Sequence, residues 1–140
     1  MNRKYEFTGI TKIVCGRTLH RICAVRDFGN VKSGDLGGWI EREINLSHDG
    51  NAWVSDNAKV CGNAKVKSSS DYMVFKNSWS SMRWFTYTAS NKMWSVGCFH
   101  GTGEELIKKV YVDSDLSGRC YEAIVKAVEE IDNAKEEVKG

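Results

Sequence analysis

The chain has no proline, no C-x-x-C pair and no long apolar run. Without proline no corner is set by a fixed φ, so its turns fall to Asn, Asp, Ser and the 13 glycines. The five cysteines, Cys15, Cys23, Cys61, Cys98 and Cys120, are odd in number and widely spaced, and only three histidines accompany them. That spacing argues against a structural zinc site and reads as scattered reduced thiols, as in a cytosolic protein. Apolar stretches such as Ile22 to Val25 fall far short of the roughly 20 residues that cross a bilayer. Met1-Asn2-Arg3-Lys4 leads into no signal-peptide core. The expectation is a soluble, cytoplasmic protein with no membrane partner and no cofactor.

Charge is also scarce in net terms, at +2. It is unevenly spread: residues 1–30 carry six Lys/Arg against two acids, and residues 104–140 carry six against ten. A surface that tracks a long phosphate backbone needs more continuous positive charge, so long nucleic acid is not expected as a partner. The opposed ends suit attraction between subunits or two solvated faces.

What is present is an internal repeat. Gly50-Asn51-Ala52-Trp53-Val54-Ser55, Asp56-Asn57-Ala58-Lys59-Val60-Cys61 and Gly62-Asn63-Ala64-Lys65-Val66-Lys67 align at a period of six. Neither helix nor hairpin has that period, whereas a triangular coil of short parallel strands does. Val54, Val60 and Val66 would point inward. Three hexads make one coil, which needs a neighbouring layer on each side: segment 28–48, the following domain or another subunit. Upstream, Tyr5 to Val14 and Thr18 to Arg26 flank Cys15-Gly16-Arg17 as a hairpin, and Trp39 reads as a core anchor.

After Ser68-Ser69-Ser70 the composition turns aromatic. Met73 to Phe75, Trp84 to Thr88 and Met93 to Phe99 read as three strands. Alternation puts Phe85 and Tyr87 on one face of the second strand, with Trp84, Thr86 and Thr88 on the other. Thr102-Gly103-Glu104-Glu105 is a capping box that starts a helix. Asp113-Ser114-Asp115 breaks it, and a second helix follows over about 117–138, with Leu116, Cys120, Ile124, Val128 and Ile131 as its apolar stripe. The fold class is therefore α+β. A short N-terminal β hairpin and a truncated left-handed β-helix of hexapeptide repeats occupy 1–70. A three-stranded antiparallel sheet with two C-terminal helices occupies 71–140.

His20-Arg21-Ile22-Cys23-Ala24-Val25-Arg26-Asp27-Phe28, Gly34-Asp35-Leu36-Gly37-Gly38-Trp39-Ile40-Glu41, Asn45-Leu46-Ser47 and the hexads together resemble phage- and prophage-encoded hexapeptide-repeat proteins of the polymer-forming or transferase-like kind. Met93 to Phe99 and Gly101 to Glu105 resemble a small C-terminal domain that ends many of them. The resemblance implies a phage origin. It also raises an acyltransferase as an alternative, with His48 the single histidine near the hexads.

The chemistry-bearing constellation is Lys76, Trp79, Arg83, Trp84, Tyr87, Asn91, Lys92 and Trp94, joined by His100. Trp and Tyr offer stacking surfaces while Arg and Lys offer contacts to anions, a combination that suits a small anionic ligand such as a cyclic nucleotide. The competing reading is that these rings are simply the core of a small sheet. Cys98 and His100, two apart on one strand, share a face as nucleophile and base would, but no third residue orients them and a core cysteine with a surface histidine is the preferred reading. The sequence thus points to a phage accessory protein that is not an enzyme and sequesters a host ligand in an anti-defence role. It is expected to be a homo-oligomer, with a host protein as the other possible target and interaction module as the other role.

Overall fold

The computed structural model describes residues 3–55 and 57–139. Asp56, the first residue of the second hexad, lies outside the described residues. Strands β1 (Tyr5–Val14) and β2 (Arg17–Ala24) form the hairpin, paired from Tyr5↔Ala24 to Val14↔Arg17 with an irregularity between Phe7 and Thr11. Cys15 and Gly16 close it in the left-handed region, at φ 48° and 85°. Strand β3 (Leu36–Ile40) pairs antiparallel with β2, and β4 (Lys59–Val60) pairs parallel with β3, giving the order β1-β2-β3-β4.

The hexad period delivers one Val and one Ala to the interior every six residues. Val54, Val60, Val66, Ala52, Ala58 and Ala64 are all buried with Tyr5, Ile22, Ile40 and Leu46. Each buried Val contributes about 1.5–3 kcal/mol. The left-handed β-helix expected from that period is nevertheless not what forms. Among the described residues, the hexads supply one two-residue strand and one parallel bridge, Leu46↔Val66. The sheet they join is mostly antiparallel. A single coil has no further coil to stack on, so the hairpin with β3 covers one side and the second sheet the other.

That stacking is tight at Gly38, whose amide donates to the Val54 carbonyl at 2.7 Å, with Trp39 N–H bonded to the Ala58 carbonyl at 3.0 Å. A Cβ on Gly38 would sit 2.2 Å from the Ser55 carbonyl oxygen and 2.7 Å from that of Ala58. Both obstacles are backbone, so the layers would have to part. Gly38→Ala should destabilise the protein by about 3 kcal/mol or more, measured by urea unfolding; a cost within error of zero would disprove the close approach.

Beside this core, the Lys4 amide donates to His48 Nδ1 at 3.1 Å, and the imidazole stacks on Tyr5 at 4.1 Å. Burial pushes the His48 pKa below its ordinary 6.5, and Arg3 adds to this; Glu43, 3.6 Å from Nε2, pulls the other way and is outweighed. The unfolded chain thus binds the proton more readily. The stability contributed by the neutral ring is present above pH 6.5 and is lost as pH falls through the lowered folded value. Melting temperature should fall on acidification through this window, and less so in His48→Gln.

The second sheet has four strands where three are expected: β5 (Tyr72–Lys76), β6 (Trp84–Thr88), β7 (Met93–Val96) and β8 (Phe99–Gly101), antiparallel in chain order. The segment read as one strand over 93–99 is reversed at Gly97, φ 54°, so Phe99 pairs back on Val96. Helices α1 (Gly103–Asp113) and α2 (Asp115–Lys139) follow. Thr102 caps α1, its Oγ1 accepting from Glu105 N–H at 3.3 Å while its own N–H donates to Glu105 Oε1 at 2.9 Å.

Leu106, Val110, Tyr121, Val125 and Val128 pack on Phe85, Tyr87 and Trp94. Of the expected α2 stripe, Val128 is buried and Cys120 and Ile124 are half-buried, but Leu116 and Ile131 at its ends are 58% and 44% exposed. Tyr121 and Val125, outside the expected stripe, join Val128 at the same spacing of four and three, and their fit beneath the sheet selects them. Among the described residues, no helix is long and apolar enough to cross a membrane.

The other face of the second sheet covers the hexads. Lys59 N–H donates to Thr86 Oγ1 (3.1 Å), Lys65 N–H to Ser90 Oγ (2.8 Å) and Ser55 N–H to the Tyr72 hydroxyl (3.1 Å). A disulfide between Cys15 and Cys98, Cα atoms 5.3 Å apart, ties the β1–β2 turn to the β7–β8 turn. The expectation of five reduced thiols is thereby corrected, because the fold brings two distant turn tips together. Cys23, Cys61 and Cys120 remain free.

Candidate functional site

Where the two sheets meet, β8 presents His100 opposite Ser95 of β7. His100 Nδ1 lies 3.0 Å from Ser95 Oγ and 3.6 Å from Cys61 Sγ, and the thiol and hydroxyl are 3.5 Å apart. Hydroxyl and thiol can each donate, so the group is satisfied with the Nδ1 lone pair accepting. Cys61 closes the second hexad and is buried. Gly62 follows it at φ 66°, and a Cβ there would stand 3.2 Å from His100 Nε2, so glycine lets the ring approach the hexad backbone.

Burial lowers the His100 pKa, Arg17 lowers it further, and Glu41 opposes both. The ring is consequently neutral in neutral solution. Arg17 Nη1 is 3.0 Å from Glu41 Oε1, which also accepts from Gly62 N–H at 2.7 Å. Burial pushes the Glu41 carboxyl up, but the Gly62 amide and Arg17 outweigh it and hold it below its ordinary value. A cavity of about 40 Å³ adjoins His100, Cys61 and Ser95, with Arg17 and the Cys15–Cys98 bridge in its wall. A neutral base against two candidate nucleophiles, with a guanidinium beside them, is an arrangement for nucleophilic attack on a carbonyl.

The structure divides the residues expected to form a binding constellation. Trp94 and Tyr87 are 2% and 4% exposed and belong to the core, the Tyr87 hydroxyl bonding Asp132. Trp79 is half-buried, edge-on to Tyr121 at 4.9 Å. Asn91 braces the sheets, donating to Asn63 at 2.8 Å. Lys92 lies at the β6–β7 turn, at φ 53°, in the wall of a surface concavity formed with the end of α2. Lys76, Arg83 and Trp84 are exposed, with Lys76 Nζ 5.5 Å over the Trp84 ring and Arg83 beside Trp84 in the wall of one groove. His100 shares the junction cavity with Trp84, whereas Lys76 and Arg83 do not line it. Alternation along β6 makes this split, because Phe85 and Tyr87 point to the helices and Trp84 does not.

Cys98 does not serve as a nucleophile beside His100, being bonded to Cys15. Cys61 is the thiol that the fold brings to His100, although no sequence spacing links 61 to 100. Trp39, expected as a core anchor, is only half-buried, with Lys12 Nζ 4.1 Å over its ring. Among the described residues, no cluster of His, Cys, Asp and Glu could hold a metal ion.

No family model matches the chain. Over 91 residues, 64% of its length, the chain is 33% identical to the uncharacterized acetyltransferase YdcK of Escherichia coli (strain K12). It spans 26% of that protein. The match is consistent with the transferase-like part of the resemblance. It overturns the expectation of a protein that is not an enzyme, since the relative's name is that of one. The same name carries neither a phage origin nor anti-defence sequestration of a nucleotide, and those expectations are withdrawn.

Proposed function

We propose that the chain takes part in acyl transfer, with the Cys61–Ser95–His100 cluster as the transfer site. The observation that carries this reading is His100 Nδ1 facing both a buried thiol and a hydroxyl; the similarity to a named acetyltransferase supports it. In the first half of the reaction, Nδ1 takes the thiol proton as Cys61 Sγ attacks the carbonyl carbon of an acyl thioester. The bond from that carbon to the donor sulfur breaks, and the departing thiolate recovers the proton from His100. In the second half an acceptor amine or hydroxyl attacks the acyl-Cys61 carbonyl, losing its proton to His100, and Cys61 leaves as the thiol. Arg17 favours the negative charge that develops on the way. The small cavity suits an acetyl group better than a long acyl chain.

The test is incubation of the purified protein with an acetyl thioester and a panel of amine and hydroxyl acceptors, reading thiol release by colour and acyl-Cys61 by mass spectrometry. Release above buffer with a transient acetyl mass on the Cys61 peptide supports the reading. No release across the panel sinks it.

A further inference from the structure

Beside the junction, and facing outward, lies a second feature that acyl transfer does not need. Lys12 of β1, Trp39 of β3, Lys59 of β4 and Arg83 with Trp84 at the start of β6 line one groove of about 580 Å³. No acidic side chain lines it among the described residues. Cations converging without counter-charges repel one another, and this repulsion strengthens as water is excluded. An indole face offsets only part of it, through Lys12 over Trp39 at 4.1 Å. Burial, with Lys59 and Arg21 nearby, accordingly lowers the Lys12 pKa. Trp84 is 41% exposed, an unusual position for the largest side chain, and it leaves a flat apolar face open to the groove.

We infer that this groove is a binding site for a small ligand joining an anionic group to a flat ring, the anion held between Lys12, Lys59 and Arg83 and the ring against Trp84. The groove is short, and the chain's net charge of +2 neutralises few phosphates, so a long polyanion is not the ligand. Both sheets contribute walls, so only the folded chain assembles the site. The inference stands whether or not the protein transfers acyl groups.

Calorimetric titration of the full chain with phenyl phosphate tests it, with inorganic phosphate and phenol as the two halves of the probe. Phenyl phosphate should bind at one site, at least tenfold tighter than either half, and weaken as salt is added. Arg83→Gln, at an exposed position, should weaken it about tenfold with melting unchanged, and Lys12→Gln, at a half-buried one, should weaken it about tenfold with little change in melting. Trp84→Ala should weaken phenyl phosphate and leave inorganic phosphate as it was. Absence of saturable heat with phenyl phosphate, or binding indifferent to all three substitutions, overturns the inference. Acetyl-thioester turnover measured on the Lys12 and Arg83 variants reports separately on His100, because neither residue lines the junction cavity.

Discussion

Replacing His100 with Gln is expected to slow thiol release from an acetyl thioester by about 10²–10⁴-fold, the usual contribution of a positioned base, while the melting temperature moves little. Gln keeps a polar group near Ser95 and Cys61, so the loss would come from the missing base and not from a hole. Cys61→Ser should lower turnover comparably and remove the acyl-Cys61 mass. The pH profile separates a base from a merely structural ring. Burial and Arg17 place the His100 pKa below the ordinary 6.5, so the neutral, proton-accepting form persists at lower pH. Turnover should therefore exceed half its plateau at pH 6.5 and fall only under more acidic conditions. An acid limb centred at or above 6.5 would show that a group other than this buried imidazole controls the rate.

Removing the Cys15–Cys98 bridge should produce the largest change in stability. The bond spans 83 residues, and releasing a loop of that length restores entropy to the unfolded chain worth about 4–5 kcal/mol. A Cys15→Ser/Cys98→Ser double variant, or wild-type protein in excess dithiothreitol, should melt roughly 10 °C or more below the oxidised protein. The two sulfurs also join the turn tips that wall both the junction cavity and the basic groove. Phenyl phosphate binding should weaken in the same samples. Thiol titration under denaturing conditions checks the premise, with three free thiols out of five; a count of five in the isolated protein, with melting unchanged by reductant, contradicts it.

Much of the local structure is legible in the sequence alone. The hairpin around Cys15-Gly16, the core valines of the hexads, the cap at Thr102 and the break near Asp113 each follow from a few neighbouring residues, because turn chemistry, period and capping are short-range. The faces of β6 were legible for the same reason. The candidate site was far less so. Its members Cys61, Ser95 and His100 come from a hexad and two strands of another sheet, and no spacing in the chain signals their meeting. Trp39 looked like core because tryptophan usually is, and only the packing of Lys12 above it shows an outward ring.

The sequence by itself determined which residues are interior in the hexads, where the hairpin turns and where the helices begin, since those choices are settled by backbone freedom and apolar period within a few residues. The tertiary structure decided that the hexads extend the first sheet beneath the second and do not form a β-helix, that Cys15 meets Cys98, that α2 buries Tyr121 and Val125 beside Val128, and that His100 faces Cys61. Each of those outcomes depends on which distant surfaces fit closely enough to exclude water. Shape complementarity of that kind belongs to the packed chain, and a linear pattern does not encode it in any single window.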